Sequence, residues 1–375
     1  MNLTFRQRRI DSIAPRTWEI VVGLAAPAVV FGLLFSGEII LRVQQYLAFG
    51  PNQAVETKIE ESVWDTSNGR RRPRPGAVMG QIRFNGAGFR GPELAMPKPP
   101  GTIRIGFFGS STTMDPYVEN ESETWPSVAT SVLKTALPHC RVDYFNAGVP
   151  GYNIDGSRRR LFEDALPYQP DIAVFLLNDI NSRAHDQLVA RGLAVEGYRP
   201  TWLAEHSLLW EKVEKNATAE RLKRVAARTD VSHRLDFGNM QAKLSVELDA
   251  LVSAVVAKDI EPVFVGNATR IRREQPLSEQ IENSTSRVLY MPDVYIGDIT
   301  SSFYYYNDTL RSIARARHIP YVETVDQMPA GAAFYVDTSH TTAKGSAIFG
   351  EIVGRRLLAS PDIRTLIKTR GSNCS

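Results

Sequence analysis

Residues 103–113 read IRIGFFGSSTT, a mainly apolar run followed at once by glycine and four hydroxyl side chains. An apolar run of this length is typical of a strand covered on both faces. The same change recurs at residues 142–151 (VDYFNAGVPG) and 172–179 (IAVFLLND). Each stretch predicts a strand of a parallel sheet whose carboxyl end carries polar residues, the place where such sheets bind ligands.

Helical patterns separate these strands. Further strands are predicted at 262–265 and 320–323, and helices at 125–137, 154–166, 244–257, 310–317 and 343–358. Strands alternating with helices imply parallel pairing and right-handed crossovers. The sequence therefore predicts an α/β protein, a three-layer α/β/α sandwich with a parallel, flavodoxin-like sheet. The aromatic cluster at 302–307 (SFYYYN) is expected to pack in the core or at the sheet edge.

The N-terminal residues have a different composition. No charge occurs between Ile20 and Gly37, and four arginines lie among residues 1–19. Eighteen helical residues span about 27 Å, close to the thickness of the bilayer hydrocarbon. Because a basic flank stays in the cytoplasm, we expect a cytoplasmic segment over 1–18 and one transmembrane anchor over 19–42. A cleaved signal peptide is the alternative, although no clear A-x-A site follows the run.

The rest of the chain divides into three parts. Residues 43–100 are expected to be a stalk and lead-in segment, and 101–360 the α/β domain. Residues near 182–240 interrupt the alternation of strands and helices and predict a helical insertion. Such an insertion is either a lid over the site or a structural excursion. Residues 361–375 are expected to be a C-terminal tail.

Composition excludes several classes of protein. With 44 basic and 41 acidic residues the net charge is +3, too small for the positive field of a dedicated nucleic-acid-binding protein. The sequence has neither a phosphate-binding glycine loop nor a metal-ligand spacing of histidines, so we expect no metal and no organic cofactor. Cys140 and Cys374 exclude a disulfide scaffold; they can form one disulfide, but two unpaired thiols are expected. Nothing in the sequence indicates an oligomeric state.

Four loops bring reactive groups to one edge of the predicted sheet. Ser111, Gly151 and Asn178 follow successive strands, and Asp337-Thr338-Ser339-His340 precedes the last predicted helix of the domain. A serine hydroxyl becomes a nucleophile when a base removes its proton, and His340 is the candidate base. Asp337 can hold the imidazole in one tautomer and stabilise its cation. This combination predicts acyl-transfer chemistry.

The tetrahedral intermediate of acyl transfer needs hydrogen-bond donors for its oxyanion. The candidates are the backbone amides of Ser111 and Gly151 and the side-chain amide of Asn178, aided by the dipole of a helix that starts after Ser111. Each residue alone also fits a structural role: a helix cap at Ser111 or Asp337, a turn at Asn178, a packed histidine. Their joint order and position favour the catalytic interpretation.

From about Arg104 to Leu358 the chain resembles the SGNH (GDSL-like) hydrolases. The resemblance rests on Gly109-Ser110-Ser111-Thr112, on Gly151 in NAGVPG, on Asn178-Asp179 and on Asp337-Thr338-Ser339-His340. It implies Ser111 as the nucleophile, Asp337 and His340 as the other triad members, and Ser111, Gly151 and Asn178 as the oxyanion hole. Ser110 stands where the family often has Asp, and is therefore an alternative nucleophile. Residues 85–93 (NGAGFRGPE) resemble a lead-in of membrane-anchored bacterial members.

Together these observations predict a membrane-anchored, extracytoplasmic serine esterase of SGNH type. Its expected substrate is a small-molecule or polysaccharide ester, its membrane contact is the N-terminal helix, and no nucleic acid is involved. One alternative uses the same triad to transfer an acyl group to an exported polysaccharide. Another is a non-catalytic envelope scaffold or carbohydrate-binding protein.

Overall fold

The computed structural model describes residues 15–49, 62–193, 198–371 and 374. The strands in these residues are β1 (Trp64–Asp65), β2 (Arg72–Pro73), β3 (Val78–Met79), β4 (Ile82–Arg83), β5 (Thr102–Gly109), β6 (Arg141–Asn146), β7 (Ile172–Leu176), β8 (Glu261–Val265) and β9 (Tyr321–Val322). The α-helices are α1 (Pro15–Phe49), α2 (Ser111–Met114), α3 (Trp125–Ala136), α4 (Ile154–Arg159), α5 (Ile180–Ala190), α6 (Trp202–His206), α7 (Leu208–Ala226), α8 (Phe237–Val256), α9 (Leu277–Glu282), α10 (Thr285–Tyr290), α11 (Ile296–Arg317), α12 (Ala343–Ala359) and α13 (Pro361–Arg370).

Strands β5 to β9 form one parallel sheet in the spatial order β6-β5-β7-β8-β9. Counted from the first of these strands, the order is 2-1-3-4-5, the arrangement of flavodoxin-like sheets. The predicted fold class is therefore confirmed. Because β5 lies between β6 and β7, the carboxyl ends of the first three strands meet where the strand order reverses, and this edge is where such folds bind ligands.

Side chains of the sheet alternate between two buried layers. In β5, Ile103, Ile105 and Phe107 pack with α3, α12 and α13, whereas Phe108 packs with the layer that contains α8 and α11. A period of two is what a strand covered on both faces requires. The two clusters of buried apolar side chains fix the sheet between its helices, and so fix the loops at its carboxyl edge.

Two helices differ from the sequence expectations. Helix α11 begins at Ile296, well before the predicted 310, and contains the aromatic cluster 302–307, of which Phe303 and Tyr306 are buried. The cluster therefore packs from a helix and not from a sheet edge. Residues 361–370, expected to be part of a tail, form α13, because Ile363, Leu366 and Ile367 lie on one face and pack beneath the sheet.

The expectation of two free thiols is wrong, because Cys140 and Cys374 form a disulfide. The two residues are separated by 234 positions. Sequence spacing alone gives no information about such a pairing. It follows from the packing of α13 under the sheet, which returns the chain to the segment that precedes β6.

Part of the predicted stalk packs on the domain. Val63, Trp64, Ile82 and Phe84 form a buried cluster with Met114 and Val149, which flank the carboxyl edge of the sheet. The predicted insertion contains α6, α7 and parts of α5 and α8, with residues 194–197 outside the described part. Helix α7 packs on α10 and also touches α1. The insertion thus lies behind α10 and next to the N-terminal helix.

Helix α1 is long and apolar, and residues 23–46 are long enough and apolar enough to cross a membrane. Its large side chains are exposed, for example Leu24, Phe31 and Leu33. A helix with so long an exposed apolar stretch is not a core helix of a water-soluble protein. Pro27 lies within it, which membrane helices tolerate.

Candidate active site

The turn after β5 is shaped by close backbone approach. Gly109 has φ +155°, and a Cβ atom there would lie 2.1 Å from the carbonyl oxygen of Leu176 and 2.2 Å from Thr113 Oγ1. Any side chain at this position would therefore force β5 and β7 apart. The absence of a side chain lets the chain turn immediately into α2, whose first residue is Ser111.

Three predicted residues form one hydrogen-bonded row. The Ser111 hydroxyl lies 2.8 Å from Nε2 of His340. On the other side of the imidazole, Nδ1 lies 2.9 Å from Oδ2 of Asp337. Ser111 and His340 are 229 positions apart in sequence, and they meet because the loop before α12 returns to the end of β5. This is the geometry that a nucleophile, its base and an orienting carboxylate require.

Asp337 is held by both of its oxygens. Its Oδ1 accepts hydrogen bonds from the backbone N–H groups of Ser339 and His340, each at 2.8 Å. Burial alone would raise the pKa of Asp337, but the hydrogen bonds from the His340 ring and the backbone outweigh it, and the pKa lies well below its usual range. Asp337 is therefore ionised at neutral pH and fixes Nδ1 of His340 as the protonated nitrogen.

Ser110, the alternative nucleophile, also lines the cleft of the triad, but its hydroxyl contacts Thr112 and not His340. Its side chain is buried and its Oγ is 3.4 Å from Thr112 Oγ1. The hydroxyl next to His340 is that of Ser111. Helix α2 is a single turn of four residues. Its dipole is therefore much smaller than that of a long helix, and it adds little to the stabilisation of an oxyanion.

The candidate oxyanion donors line the same cleft as the triad. The cleft has a volume of about 360 Å³, and Ser111, Gly151 and Asn178 are all on its wall. Gly151 has φ +82° with open space around its α carbon. Glycine adopts that conformation without a steric penalty, so residue 151 holds this backbone turn at the wall of the cleft without strain.

A carboxylate that the sequence analysis missed connects the two catalytic loops. Asp115 is buried at the end of α2 in the left-handed conformation. It accepts hydrogen bonds from Thr341 (3.1 Å) and Ser346, which flank the amino end of α12 next to His340. Burial raises the pKa of Asp115 to about 6. Asp115 thus joins the turn that carries Ser111, which we call the nucleophile turn, to the loop that carries Asp337 and His340, which we call the histidine loop.

Arg90, in the lead-in segment, stabilises the turn after Ser111 through hydrogen bonds to its backbone. Its guanidinium donates to the carbonyl oxygens of Met114 (2.9 Å), Asp115 (2.8 Å) and Val118, and pairs with Glu121. Asn146 adds a bond from its Nδ2 to the carbonyl of Thr113 at 2.7 Å. No short-range sequence pattern indicates these partners, because all of them come from other parts of the chain.

Asp179, the second residue of the Asn-Asp pair, is engaged in packing. It accepts a hydrogen bond from the Tyr306 hydroxyl at 2.7 Å and forms an ion pair with Arg183 at 2.9 Å. Asp179 therefore ties α5 to α11 behind Asn178. In the described residues, no group of three or more His, Cys, Asp and Glu side chains has the arrangement of a metal site.

Comparison with known proteins gives the family. The model of the GDSL-like lipase/acylhydrolase family matches residues 107–348, which include every member of the row Ser111, His340 and Asp337. The chain belongs to this family. No curated protein matches the chain.

Solved structures with a similar fold come from several sources. One is a lipase/acylhydrolase from Enterococcus faecalis, 14% identical, covering 68% of this chain and 96% of that one, with TM-score 0.40. Another is a catalytic mutant of an acetylxylan esterase from Geobacillus stearothermophilus, 13% identical over 68% and 94%, TM-score 0.43. A third is an α/β hydrolase from the metagenome of Lake Arreo, 12% identical over 72% and 97%, TM-score 0.42. The assignment rests on the family match, which makes the protein an ester-hydrolysing enzyme.

Proposed function

We propose that this ester hydrolase is a membrane-anchored serine esterase whose catalytic domain lies outside the cytoplasm. Its proposed substrates are O-acyl groups of an envelope polysaccharide or lipid. The observation that carries the chemistry is the row of hydrogen bonds from Asp337 through His340 to Ser111. The substrate class rests on the location of the enzyme and on its family, and not on a bound ligand.

In the proposed mechanism His340 Nε2 takes the proton of Ser111 as Oγ attacks the ester carbonyl. The tetrahedral intermediate collapses when His340 gives that proton to the leaving alcohol, which leaves an acyl–Ser111 ester. His340 then removes a proton from water, the hydroxide attacks the acyl carbon, and the acid departs as Ser111 regains its proton. Asp337 stabilises the imidazolium formed in each half of the cycle.

The oxyanion would be bound by the backbone amides of Ser111 and Gly151 and by the side-chain amide of Asn178. All three residues line the cleft that holds the triad. Preorganised donors of this kind are worth about 10²- to 10³-fold in kcat each. No step of this mechanism needs a metal or an organic cofactor.

Three observations support the proposed location. Helix α1 exposes an apolar surface long enough to span a bilayer, and four arginines lie among residues 1–19, the flank that stays in the cytoplasm. The folded domain contains the disulfide between Cys140 and Cys374. Disulfides persist in oxidising compartments outside the cytoplasm, so this bond supports a topology with the domain and the basic flank on opposite sides of the membrane.

The test uses the full chain in detergent, with Ser111→Ala and the neighbouring Ser110→Ala as its matched control. We expect hydrolysis of 4-nitrophenyl acetate and labelling by a fluorophosphonate in the wild type and in Ser110→Ala. Ser111→Ala should lose both, because it removes the hydroxyl next to His340. Labelling without turnover would favour acyl transfer to a sugar hydroxyl. A folded wild type that is neither active nor labelled would favour the non-catalytic alternative.

A further inference from the structure

The cleft contains a buried cation that the proposed mechanism does not use. Arg287, on α10, lines the cleft although only 4% of its surface is exposed. Its Nη1 donates to Asn181 Oδ1 and its Nη2 to Ser339 Oγ at 3.0 Å, and both partners are neutral. The guanidinium lies 4.6 Å from the centroid of the Phe303 ring. These contacts fix the group at the wall of the cleft.

In the described part of the chain, the hydrogen-bond partners of Arg287 are the neutral groups of Asn181 and Ser339, and it forms no ion pair there. Asp337 acts on it electrostatically, but the oxygens of Asp337 are taken by His340 and two backbone N–H groups. Burial lowers the pKa of Arg287 to about 10, so the side chain is still charged at neutral pH. A desolvated charge is costly unless it is paired, and Arg287 lines the cleft that holds the triad.

We propose that Arg287 is a specificity residue that binds an oxyanion, such as a carboxylate, on the acyl or alcohol part of the ester substrate. This inference rests on the proposed esterase function and narrows its substrate to anionic esters, among them O-acylated acidic saccharides. The planar guanidinium suits such a partner, because it donates two parallel hydrogen bonds to a carboxylate.

Two pairs of esters test this inference with the full chain in detergent. 4-Nitrophenyl propionate and 4-nitrophenyl hydrogen succinate differ by a carboxylate on the acyl chain. Phenyl acetate and 4-acetoxybenzoate differ by a carboxylate on the alcohol. In Arg287→Met we expect kcat/KM for one anionic ester to fall about tenfold to hundredfold more than for its neutral partner, the range for hydrogen bonds to a charged group. The loss should lie in KM, and Arg287→Lys should recover part of it.

Arg273→Met is the matched control, because it removes an exposed guanidinium stacked on Tyr304, outside the cleft. It should leave the ratio of anionic to neutral ester unchanged. Equal losses on both members of each pair in Arg287→Met would show that Arg287 only supports the loop that carries Ser339, and would overturn the inference. Failure of the wild type to cleave any of the four esters would overturn the esterase function itself.

A second inference comes from a different surface. Trp202, Leu203, Trp210 and Val213 form an exposed apolar face on α6 and α7, with exposed fractions of 68%, 50%, 45% and 50%. Large apolar side chains grouped on a surface mark a contact site. We call this group the α6–α7 face.

The helices that carry the α6–α7 face contact α1 just after its uncharged run. Glu38 accepts hydrogen bonds from the backbone N–H groups of Leu208 (3.2 Å) and Leu209 (2.9 Å), and also from the Ser207 hydroxyl. Arg42 donates to the carbonyl of His206 at 3.1 Å. These contacts place the start of α7 beside the point in α1 where the uncharged run of α1 ends. Trp202 and Trp210 therefore lie within about one helical turn of that level.

We infer that the α6–α7 face inserts into the interface of the bilayer that α1 spans, with Trp202 and Trp210 at the level of the lipid headgroups. Tryptophan is enriched at this depth because its ring is apolar and its N–H is polar. The face would give the domain a second membrane contact besides α1, and would fix the rotation of the cleft relative to the membrane surface.

Tryptophan quenching in nanodiscs tests this inference with the full chain carrying Trp18→Phe. The lipids are phosphatidylcholines brominated near the headgroup end of their acyl chains. We expect about half or more of the quenchable fluorescence to disappear on adding Trp202→Phe and Trp210→Phe, because Trp64 and Trp125 are buried. As a control, Arg355→Trp on the exposed side of α12 in that background should stay unquenched.

Two results would overturn the second inference. In the first, Trp202 and Trp210 are not quenched although the chain resists carbonate extraction from membranes. This would show that α1 anchors the chain and that the α6–α7 face lies in water. Shielding that depends on protein density and not on brominated lipid would show that a second copy of the chain covers the face. Release of the chain by carbonate would contradict the anchor itself.

Discussion

Asp337 uses both carboxylate oxygens within a single turn of the chain, one on the imidazole and one on two backbone amides. Hydrogen bonds of this number keep a carboxylate ionised and immobile. The histidine loop is therefore set before any substrate arrives. At the scale of single residues, the chemistry of this enzyme depends on this preorganisation.

Asp337→Asn should lower kcat by about 10³- to 10⁴-fold, because an amide cannot hold the required imidazole tautomer or stabilise its cation. The pKa of Asp337 lies well below its usual range, so titration of Asp337 itself should add nothing to the pH dependence of kcat in the wild type between pH 5 and 8. The measurement is kcat on 4-nitrophenyl acetate, with a melting curve to show that the variant is folded. A fall of less than tenfold would contradict the role proposed for Asp337.

Asp115 makes a pH-dependent contribution to stability. Its folded-state pKa of about 6 lies above the ordinary value of 3.8, so its ionised form destabilises the fold. That penalty is fully present above pH 6 and is relieved as the pH falls through 6 towards 3.8. The free energy of unfolding of the wild type should therefore rise from pH 7 to pH 5 by about 1 kcal/mol relative to Asp115→Asn.

Urea denaturation at the two pH values measures this difference. Asparagine tolerates the left-handed backbone conformation of residue 115, so the variant isolates the charge. Parallel pH dependences of wild type and Asp115→Asn would show that Asp115 is not protonated at pH 5.

Two glycines at the cleft should respond differently to alanine. Gly109→Ala puts a Cβ atom against the Leu176 carbonyl and should destabilise the fold by more than about 3 kcal/mol. Gly151→Ala meets open space and should cost only about 1 kcal/mol, for its positive φ. Thermal unfolding measures both. Similar costs in the two variants would mean that close approach at residue 109 is not what selects glycine there.

At the scale of elements, the strands of the sheet could be predicted from the sequence, whereas some of the helices between them could not. The runs at 103–108, 142–145 and 172–177 correspond to β5, β6 and β7 because a doubly covered strand leaves a purely local apolar signal. The first half of α11 carries mixed polar and aromatic residues, and its helical form depends on partners such as Asp179. Tertiary contacts of that kind override local propensity.

The residues of the site also divide into those that the sequence indicates and those that only the folded structure reveals. The sequence could place Ser111, Gly151, Asn178, Asp337 and His340 at one edge of the sheet, because each lies near the end of a strand or the start of a helix. It could not place Asp115 and Arg90, because their partners lie far away in sequence. Their placement depends on the packed lead-in segment, which local patterns describe only as a loop.

The lead-in segment should be needed for a stable active site. Arg90→Met removes a buried guanidinium and leaves three carbonyl groups of the nucleophile turn without their donor. We expect a loss of about 3 kcal/mol or more in the free energy of unfolding and a lower kcat. Arg83→Met, an exposed arginine on β4, is the control. If both variants melted at the wild-type temperature, Arg90 would have no such role.

At the scale of the whole molecule, one covalent bond joins the segment before β6 to the chain after α13. Closing a loop of 234 positions stabilises a fold by about 5 kcal/mol in the chain-entropy description. Cys140→Ser with Cys374→Ser should therefore melt at a lower temperature than the wild type. Dithiothreitol should lower the melting temperature of the wild type and leave that of the double variant unchanged. A wild type insensitive to reduction would argue against the bond.

The disulfide also imposes an order on biogenesis. If the domain is exported as proposed, Cys140 crosses the membrane long before residue 374 does, and during that interval its thiol has no partner in the fold. A nascent chain halted anywhere in between would be open to mixed disulfides with the cell's oxidases. Covalent closure is thus a late event that reports the arrival of the whole domain, and newly made enzyme should pass through a reduced, protease-sensitive form before it matures.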